Sequence, residues 1–146
     1  VAGPAALLIG DISFFHDLNG LLASKLHGID LTVVLVHNDG GGIFSLLPQA
    51  GLADFERLFG TPHGLEFAPA VAMHGGRFAQ VRDWSEFREL LRRALARPGL
   101  DVIEVRSNRE SSAERRRRLW AHIAARVDEL VASRAPETER SGASSG

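Results

Sequence analysis

The stretch LTVVLVHNDGGGIFSLLPQ, residues 31–49, decides the fold of this 146-residue chain. Its first part, residues 31–36, is a continuous run of β-branched and aliphatic residues, which is typical of a strand buried in a parallel sheet. The run stops at an amide, a carboxylate and three glycines, and an apolar cluster closed by Pro48 follows. Parallel sheets bind ligands at the carboxyl ends of their strands, so this change of composition predicts a ligand site at the end of the strand.

Three further strands are predicted along the chain, at residues 5–9, 77–81 and 101–106. Helical patterns alternate with them. This alternation predicts an α/β fold, with a parallel sheet, helices on both faces and right-handed crossovers. Such a sheet normally has more than four strands, so we expect further strands upstream of Val1 and a fold truncated on its N-terminal side.

Three helices are predicted from their capping residues and apolar periodicity. The first spans residues 17–26, where Asp17 is placed to cap the first turn and Gly28 to end the helix. The other two open on pairs that resemble capping boxes, and both carry apolar residues at helical spacing. These pairs are Asp83 with Glu86, ahead of Pro98, and Ser111 with Glu114, ahead of Leu119, Trp120, Ile123, Val127 and Leu130.

Composition narrows the classes of function. A net charge of −1 gives no reason to expect nucleic acid or an anionic membrane as a partner, and the absence of cysteine excludes disulfides and thiolate metal sites. No apolar run approaches the roughly 20 residues of a membrane span, and we expect a cytoplasmic protein. One domain is expected over residues 1–135, and the polar tail PETERSGASSG, residues 136–146, is expected to be disordered.

Polar residues follow two predicted strands at the point where each ends. Asp11 follows the first strand and Asn38 the second; if the strands are neighbours, their tips lie about 5 Å apart. A carboxylate and an amide oxygen suit Mg²⁺, with the carbonyl of Gly40 as a third ligand and backbone N–H groups at Ile12 and Ser13 for phosphate. Gly-Asp and Asn-Asp-Gly are also common turn sequences, and that reading stays open.

These residues resemble the cofactor motif of thiamine-diphosphate-dependent enzymes, in which Gly10-Asp11 is followed by His37-Asn38-Asp39-Gly40. The surrounding segments are similar to one family of these enzymes, the 2-succinyl-5-enolpyruvyl-6-hydroxy-3-cyclohexene-1-carboxylate synthases (MenD) of menaquinone biosynthesis. The similarity is to their C-terminal, diphosphate-binding domain and extends from Gly10 to about Leu130. It lies in GDISFFHDLNGLL, GGGIFSLLPQ, FERLFGTPHGLEFA and DVIEVRSNR.

The resemblance implies thiamine diphosphate and Mg²⁺ (or Mn²⁺) as cofactors. It also implies an enzyme that decarboxylates 2-oxoglutarate and adds the succinyl unit to isochorismate. Three groups of residues are assigned by it: metal ligands (Asp11, Asn38, Gly40), cofactor-binding residues (Asp11, Ile12, Ser13, Asn38, Gly40, Gly41) and an apolar active-site wall (Ile43, Phe44, Leu47). The activating glutamate would come from a pyrimidine-binding domain, normally of a second subunit in a homo-oligomer. This chain lacks that domain, so the chain alone is expected to be inactive.

Two histidines and three other functions remain to be weighed. His37 stands where relatives more often have Asn, and a packing role is favoured over acid–base chemistry. His63, in FGTPHG, lies on a loop near the site, where a surface or capping role is favoured over catalysis. Asp11 could instead be the phospho-acceptor of a receiver-like or phosphatase-like domain, although Lys25, the only lysine, is poorly placed for it. Two further alternatives stay open: a domain of a different thiamine-diphosphate-dependent decarboxylase or synthase, and a non-catalytic folding or oligomerisation module.

Overall fold

A computed structural model describes residues 4–134 and contains one parallel sheet of four strands in this range. The spatial order is β1-β2-β4-β3, and every neighbouring pair is parallel. The strands span β1 Ala5–Gly10, β2 Leu31–His37, β3 Arg77–Gln80 and β4 Leu100–Arg106. The four strands predicted from the sequence are confirmed to within one residue at each end, and β1 and β2 are direct neighbours.

Between residues 4 and 134, five α-helices connect and follow these strands. Their bounds are α1 Asp11–His16, α2 Leu21–His27, α3 Ala68–Met73, α4 Trp84–Leu95 and α5 Arg109–Arg134. Short 3-10 turns at Leu18–Gly20, Gly42–Leu46 and Pro48–Gly51, and a π turn at Glu56–Gly60, fill the remaining connections. Within the described range, no helix combines the length and apolar character needed to cross a bilayer.

The core lies on β2 and β4, which are the two inner strands. Val33, Leu35 and Val102 are almost completely buried and pack with apolar side chains from α1, α2 and the segment around α3. Helix α4 packs on β2 and β4 and buries Ala94 outside this cluster, while Ile103 is likewise buried outside it. The predicted α/β sheet with helices on both faces is confirmed, because β2 is covered on both sides as its uninterrupted apolar run requires.

Two helix starts predicted from capping patterns are wrong. The first helix begins at Asp11, directly after β1, and Asp17 makes no capping hydrogen bond at the break between α1 and α2. Helix α5 begins before Ser111, because the side chain of Asn108 accepts the Ser111 N–H (2.9 Å) and thereby caps the first turn. The Asp83 cap and the left-handed Gly28 (φ 61°) are confirmed. The predicted disordered tail, residues 136–146, lies outside the described residues.

Helix α5 exposes most of its apolar side chains, although their spacing predicts a buried face. The exposed apolar side chains on it are those of Leu119, Trp120, Ile123, Val127, Leu130 and Val131. Leu7 and Leu8 of the edge strand β1 are exposed as well. The apolar residues therefore have the predicted helical spacing, but no other segment among residues 4–134 covers the apolar face that they form.

A buried carboxylate at the start of β4 is held by two arginines. Asp101 accepts hydrogen bonds from Arg77 Nε (3.1 Å) and Nη2 (2.7 Å) and also pairs with Arg97. Burial by itself would raise the pKa of Asp101, but the hydrogen bonds from the two guanidinium groups outweigh it and hold that pKa below its ordinary value. This cluster fixes the amino end of β4, whose other end carries a residue of the functional site.

We expect Asp101→Asn to lower the free energy of unfolding by about 1–3 kcal/mol at neutral pH, because the charged acceptor of both arginines is lost. A depressed folded-state pKa contributes stability above the ordinary Asp pKa of 3.8, and this contribution disappears as the pH falls through the folded-state value. The difference between variant and wild type should therefore shrink in acid. Urea titrations at several pH values measure it, with Asp128→Asn on the exposed face of α5 as the control. An equal difference at every pH would contradict the assignment.

Candidate functional site

The pairing of β1 with β2 brings the two predicted metal ligands together. Gly10 lies opposite Val36 in the register, so the residues that follow the two strands meet at the carboxyl edge of the sheet. The Asn38 N–H donates to Asp11 Oδ2 across this gap at 3.0 Å. The predicted proximity of Asp11 and Asn38 is therefore observed.

The Asp11 carboxylate is the centre of the site and is only 2% exposed. Its Oδ2 accepts three hydrogen bonds, from the N–H groups of Asn38 (3.0 Å) and Gly40 (3.1 Å) and from His63 Nε2 (3.2 Å). Its Oδ1 accepts one, from the Ile12 N–H at 2.9 Å. One oxygen is thus saturated by donors, whereas the other retains lone-pair capacity for a ligand.

The Asn38 side chain provides a second oxygen. Its Oδ1 is buried and has no hydrogen-bond partner among the described residues. An unpaired buried acceptor is costly, and a bound cation would satisfy it. A carboxylate and an amide oxygen form a hard donor set that fits a divalent cation such as Mg²⁺. The residues present therefore fit the metal that the sequence motif implies.

The glycines after Asn38 are needed because this loop lies directly against the segment that ends at Gly60. A Cβ on Gly40 would lie 2.1 Å from the Gly60 carbonyl oxygen, and one on Gly41 would lie 2.4 Å from that of Phe59. Gly40 also has a φ of 134°, which side chains other than glycine's rarely allow. Its carbonyl accepts the Gly42 N–H at 3.0 Å, and its predicted role as a metal ligand stays a prediction.

Asp39 joins the loop after β2 to the loop that carries His63. It adopts a left-handed conformation (φ 60°), and its Oδ1 accepts the N–H groups of His63 (3.0 Å) and Gly64 (2.8 Å). The pKa of Asp39 is lowered, most strongly by the hydrogen bond from the Gly64 N–H. Burial is the next largest effect and opposes it, while the hydrogen bond from the His63 N–H and the charge of Arg109 lower the pKa further. Two loops that are distant in sequence are thereby fastened together at the site.

Next to the site, Asp11 and His37 are joined by two ionisable residues that the sequence reading did not single out, Glu104 and Arg106. His37 Nδ1 is 2.6 Å from Glu104 Oε1, and His37 Nε2 is 3.9 Å from Asp11 Oδ2. Glu104, only 1% exposed, also accepts from Arg106 Nε at 3.0 Å. The pKa of Arg106 is raised, first by its hydrogen bonds to Glu66 and then by those to Glu104. Glu104 could have been identified from the sequence, because it is a charged residue between the apolar residues of the strand DVIEVR.

The two histidines of the sequence analysis both belong to the site. His37 is buried and packs against Phe67, as expected of a packing role, and also holds Glu104. Of the surface or capping role favoured for His63, a surface role is wrong, because its side chain is 16% exposed and donates to Asp11. Its Nδ1 accepts the Leu65 N–H at 3.0 Å, which is consistent with a capping role. The two imidazole rings stack with their centroids 5.4 Å apart.

The remaining predicted residues follow the two candidate side-chain metal ligands in the chain. Ile12 and Ser13 stand in the first turn of α1, next to Asp11. Ile43, Phe44 and Leu47 lie on the turn after the glycines and have exposed side chains, Ile43 at 69%. They form an apolar surface beside the polar site, and their contact with a ligand stays a prediction.

Comparisons with known proteins agree with this geometry. Residues 2–105 match the model of the thiamine pyrophosphate enzyme C-terminal TPP-binding domain. The chain is 48% identical over 132 residues to the 2-succinyl-5-enolpyruvyl-6-hydroxy-3-cyclohexene-1-carboxylate synthase of Bacillus cytotoxicus. The aligned segment covers 90% of this chain and 23% of that enzyme. The chain is 49% identical over 137 residues to the synthase of the same name from Geobacillus thermodenitrificans, covering 93% of this chain and 23% of that enzyme.

Among solved structures, the chain is similar to the thiamine diphosphate-dependent 4-hydroxybenzoylformate decarboxylase of Rhodococcus jostii RHA1. The TM-score is 0.62 at 25% identity, over 72% of this chain and 20% of that one. The chain thus spans about a quarter of the length of the curated relatives it matches. The resemblance drawn from the motifs is confirmed, and the chain belongs to the family of C-terminal thiamine-pyrophosphate-binding domains of thiamine pyrophosphate enzymes.

Proposed function

We propose that Asp11 and Asn38 hold Mg²⁺ (or Mn²⁺) and that this ion fixes the diphosphate of thiamine diphosphate at the carboxyl edge of the sheet. The observation that carries the proposal is the pair of buried oxygens, Asp11 Oδ1 and the unpartnered Asn38 Oδ1, which follow adjacent strands. The Gly40 carbonyl is proposed as the third protein ligand. The backbone at Ile12, Ser13 and Gly41 is proposed to contact the cofactor.

The residues of this chain would bind and orient the cofactor and keep water away from it. When bound, thiamine diphosphate supplies the stabilisation of a carbanion, which side chains alone do not provide. The contribution of the chain is an anchor for the charged end of the cofactor and an apolar wall formed by Ile43, Phe44 and Leu47. A wall without polar groups excludes water from the space in which charge develops.

For the whole enzyme, we propose the synthase activity that its relatives are named for. As the family resemblance implies, this activity would be decarboxylation of 2-oxoglutarate and addition of the succinyl unit to isochorismate, in the cytoplasm. The similarity to two such synthases at 48–49% identity favours this activity over that of the decarboxylase, which is 25% identical. A pyrimidine-binding domain from a second subunit of a homo-oligomer would complete the site. The exposed apolar side chains around Ile43 suit such a partner surface.

The other functions considered from the sequence have less support. Membership in the thiamine pyrophosphate family argues against Asp11 as a phospho-acceptor. A purely structural module would not need a buried carboxylate and an unpaired amide oxygen at one edge of the sheet. Another thiamine-diphosphate-dependent decarboxylase is the second candidate, because the solved structure named above is one. Product analysis of the full-length enzyme with 2-oxoglutarate, with and without isochorismate, distinguishes it from a synthase.

Replacing the central carboxylate tests the cofactor site. We expect titration calorimetry of the chain with thiamine diphosphate to give binding that depends on Mg²⁺, and Asp11→Ala to abolish it, because the cation loses its charged ligand. Asp17→Ala, which removes an exposed carboxylate beyond α1, is the matched control and should bind like wild type. Binding that ignores magnesium, or that survives in the Asp11 variant, would contradict the proposal.

The exposed apolar wall should cause self-association when no partner covers it. Sedimentation velocity of the chain is expected to show species that grow with concentration, and Ile43→Asp should shift them towards monomer because a charge cannot be buried in such a contact. Leu26→Asp changes an equally exposed leucine on α2 and serves as the control. A wild-type monomer at all concentrations, or equal effects of both substitutions, would argue against a partner surface at Ile43.

A further inference from the structure

We propose that His63 is a positioning residue for the metal site: its Nε2–H holds Asp11 Oδ2 so that Asp11 Oδ1 faces the cation. This inference rests on the proposed function, since it concerns the same cation. It assigns a role to a residue that is 52 positions away from Asp11 in the chain. Two observations support it: the hydrogen bonds that the imidazole makes, and the uneven distribution of hydrogen-bond donors over the two oxygens of the Asp11 carboxylate.

The hydrogen-bond partners of His63 determine which nitrogen carries the proton. The Leu65 N–H donates to His63 Nδ1 at 3.0 Å, so Nδ1 is an acceptor. The proton of the neutral ring is then on Nε2, which lies 3.2 Å from Asp11 Oδ2 and donates to it. A nitrogen that carries this proton is not free to bind a metal. His63 is therefore a donor to the carboxylate, although side-chain atoms of Asp11, His37 and His63 lie within 4.8 Å of one another.

The ring is held in place from several directions. Asp39 accepts the backbone N–H groups of His63 and Gly64, which fixes the loop. The His37 ring stacks on the His63 ring at 5.4 Å, and Phe67 meets it edge-on at 6.1 Å. A side chain restrained in this way loses little entropy when it makes its hydrogen bond, so it can orient its partner effectively.

The hydrogen bonds are unevenly divided between the two oxygens of Asp11. Oδ2 accepts from Asn38, Gly40 and His63, whereas Oδ1 accepts only from the neighbouring Ile12 N–H. Two donors to Oδ2 come from the loop that also carries the second metal ligand. The third comes from His63, on a separate loop, and opposes rotation of the carboxylate about its Cβ–Cγ bond. Oδ1 is then the oxygen that is available to the cation.

The test measures metal affinity rather than activity. Mn²⁺ is titrated into the chain at saturating thiamine diphosphate, and the bound ion is followed by electron paramagnetic resonance. We expect His63→Leu to weaken Mn²⁺ binding by about 10–100-fold, the usual effect of removing a partner of a ligating side chain. His63→Gln, which can present an N–H at similar reach, should recover most of the affinity. His16→Leu, at an exposed histidine on α1, should bind like wild type.

Each outcome separates this inference from the function on which it rests. If wild type shows no metal-dependent binding, the proposed function itself fails. If wild type binds and His63→Leu binds equally well or more tightly, only the positioning role is overturned, and tighter binding would make His63 a competitor of the cation. Equal losses in the Leu and Gln variants would also overturn it, because they would indicate packing rather than hydrogen bonding. Thermal unfolding of each variant confirms that the comparison is made on folded protein.

Discussion

The site depends on a single buried carboxylate at the point where two parallel strands end side by side. Because β1 and β2 pair in register up to Gly10 and Val36, the Asp11 side chain reaches the backbone of the loop after β2. A buried charge is tolerated only when it is well hydrogen-bonded, and four donors satisfy this one. Asp11 therefore orders the loop through Oδ2, and Oδ1, which accepts only the Ile12 N–H, is the oxygen that we propose binds a ligand.

The segment between β2 and α3 shows how a long connection can be ordered with little regular structure. Its glycines lie against the backbone at Phe59 and Gly60, and the Gly41 N–H donates to the Gly60 carbonyl at 2.8 Å. Such close backbone contact leaves no room for a side chain at Gly40 or Gly41, and a Cβ on Gly42 would lie 2.6 Å from the side-chain nitrogen of Asn38. These contacts explain three consecutive glycines better than turn propensity does. The chain then returns to Asp11 through His63. The end of this connection therefore contacts its beginning at the functional site. Long ordered loops in compact domains usually carry function.

Local patterns in the sequence were sufficient for the sheet and for the first two polar residues of the site. Three features each follow a short-range rule: the apolar run that ends before His37, the left-handed glycine at position 28, and the cap at Asp83. The elements predicted from them match the observed strand and helix ends. The start of α1 was missed because Phe14 packs on Phe67, and such a tertiary contact overrides a plausible cap at Asp17. His63 could not be assigned from spacing, because its contact with Asp11 joins a loop to the start of α1 across 52 positions of the chain. Periodicity on α5 predicted an apolar face but not what covers it.

Strand β4 carries buried acids at both ends, and their partners constrain its register. Asp101 meets Arg77 and Arg97, while Glu104, three positions later and so on the opposite face, meets His37. A shift of one residue would move both carboxylates away from these partners and into apolar surroundings, which costs far more than an exposed ion pair contributes. The apolar residues of β4, Val102 and Ile103, would tolerate such a shift better. We infer that the hydrogen bonds of Asp101 and Glu104, rather than the apolar packing of β4, keep Glu104 next to His37. Because the His37 ring stacks on the His63 ring, these bonds also support the donor that we propose orients Asp11.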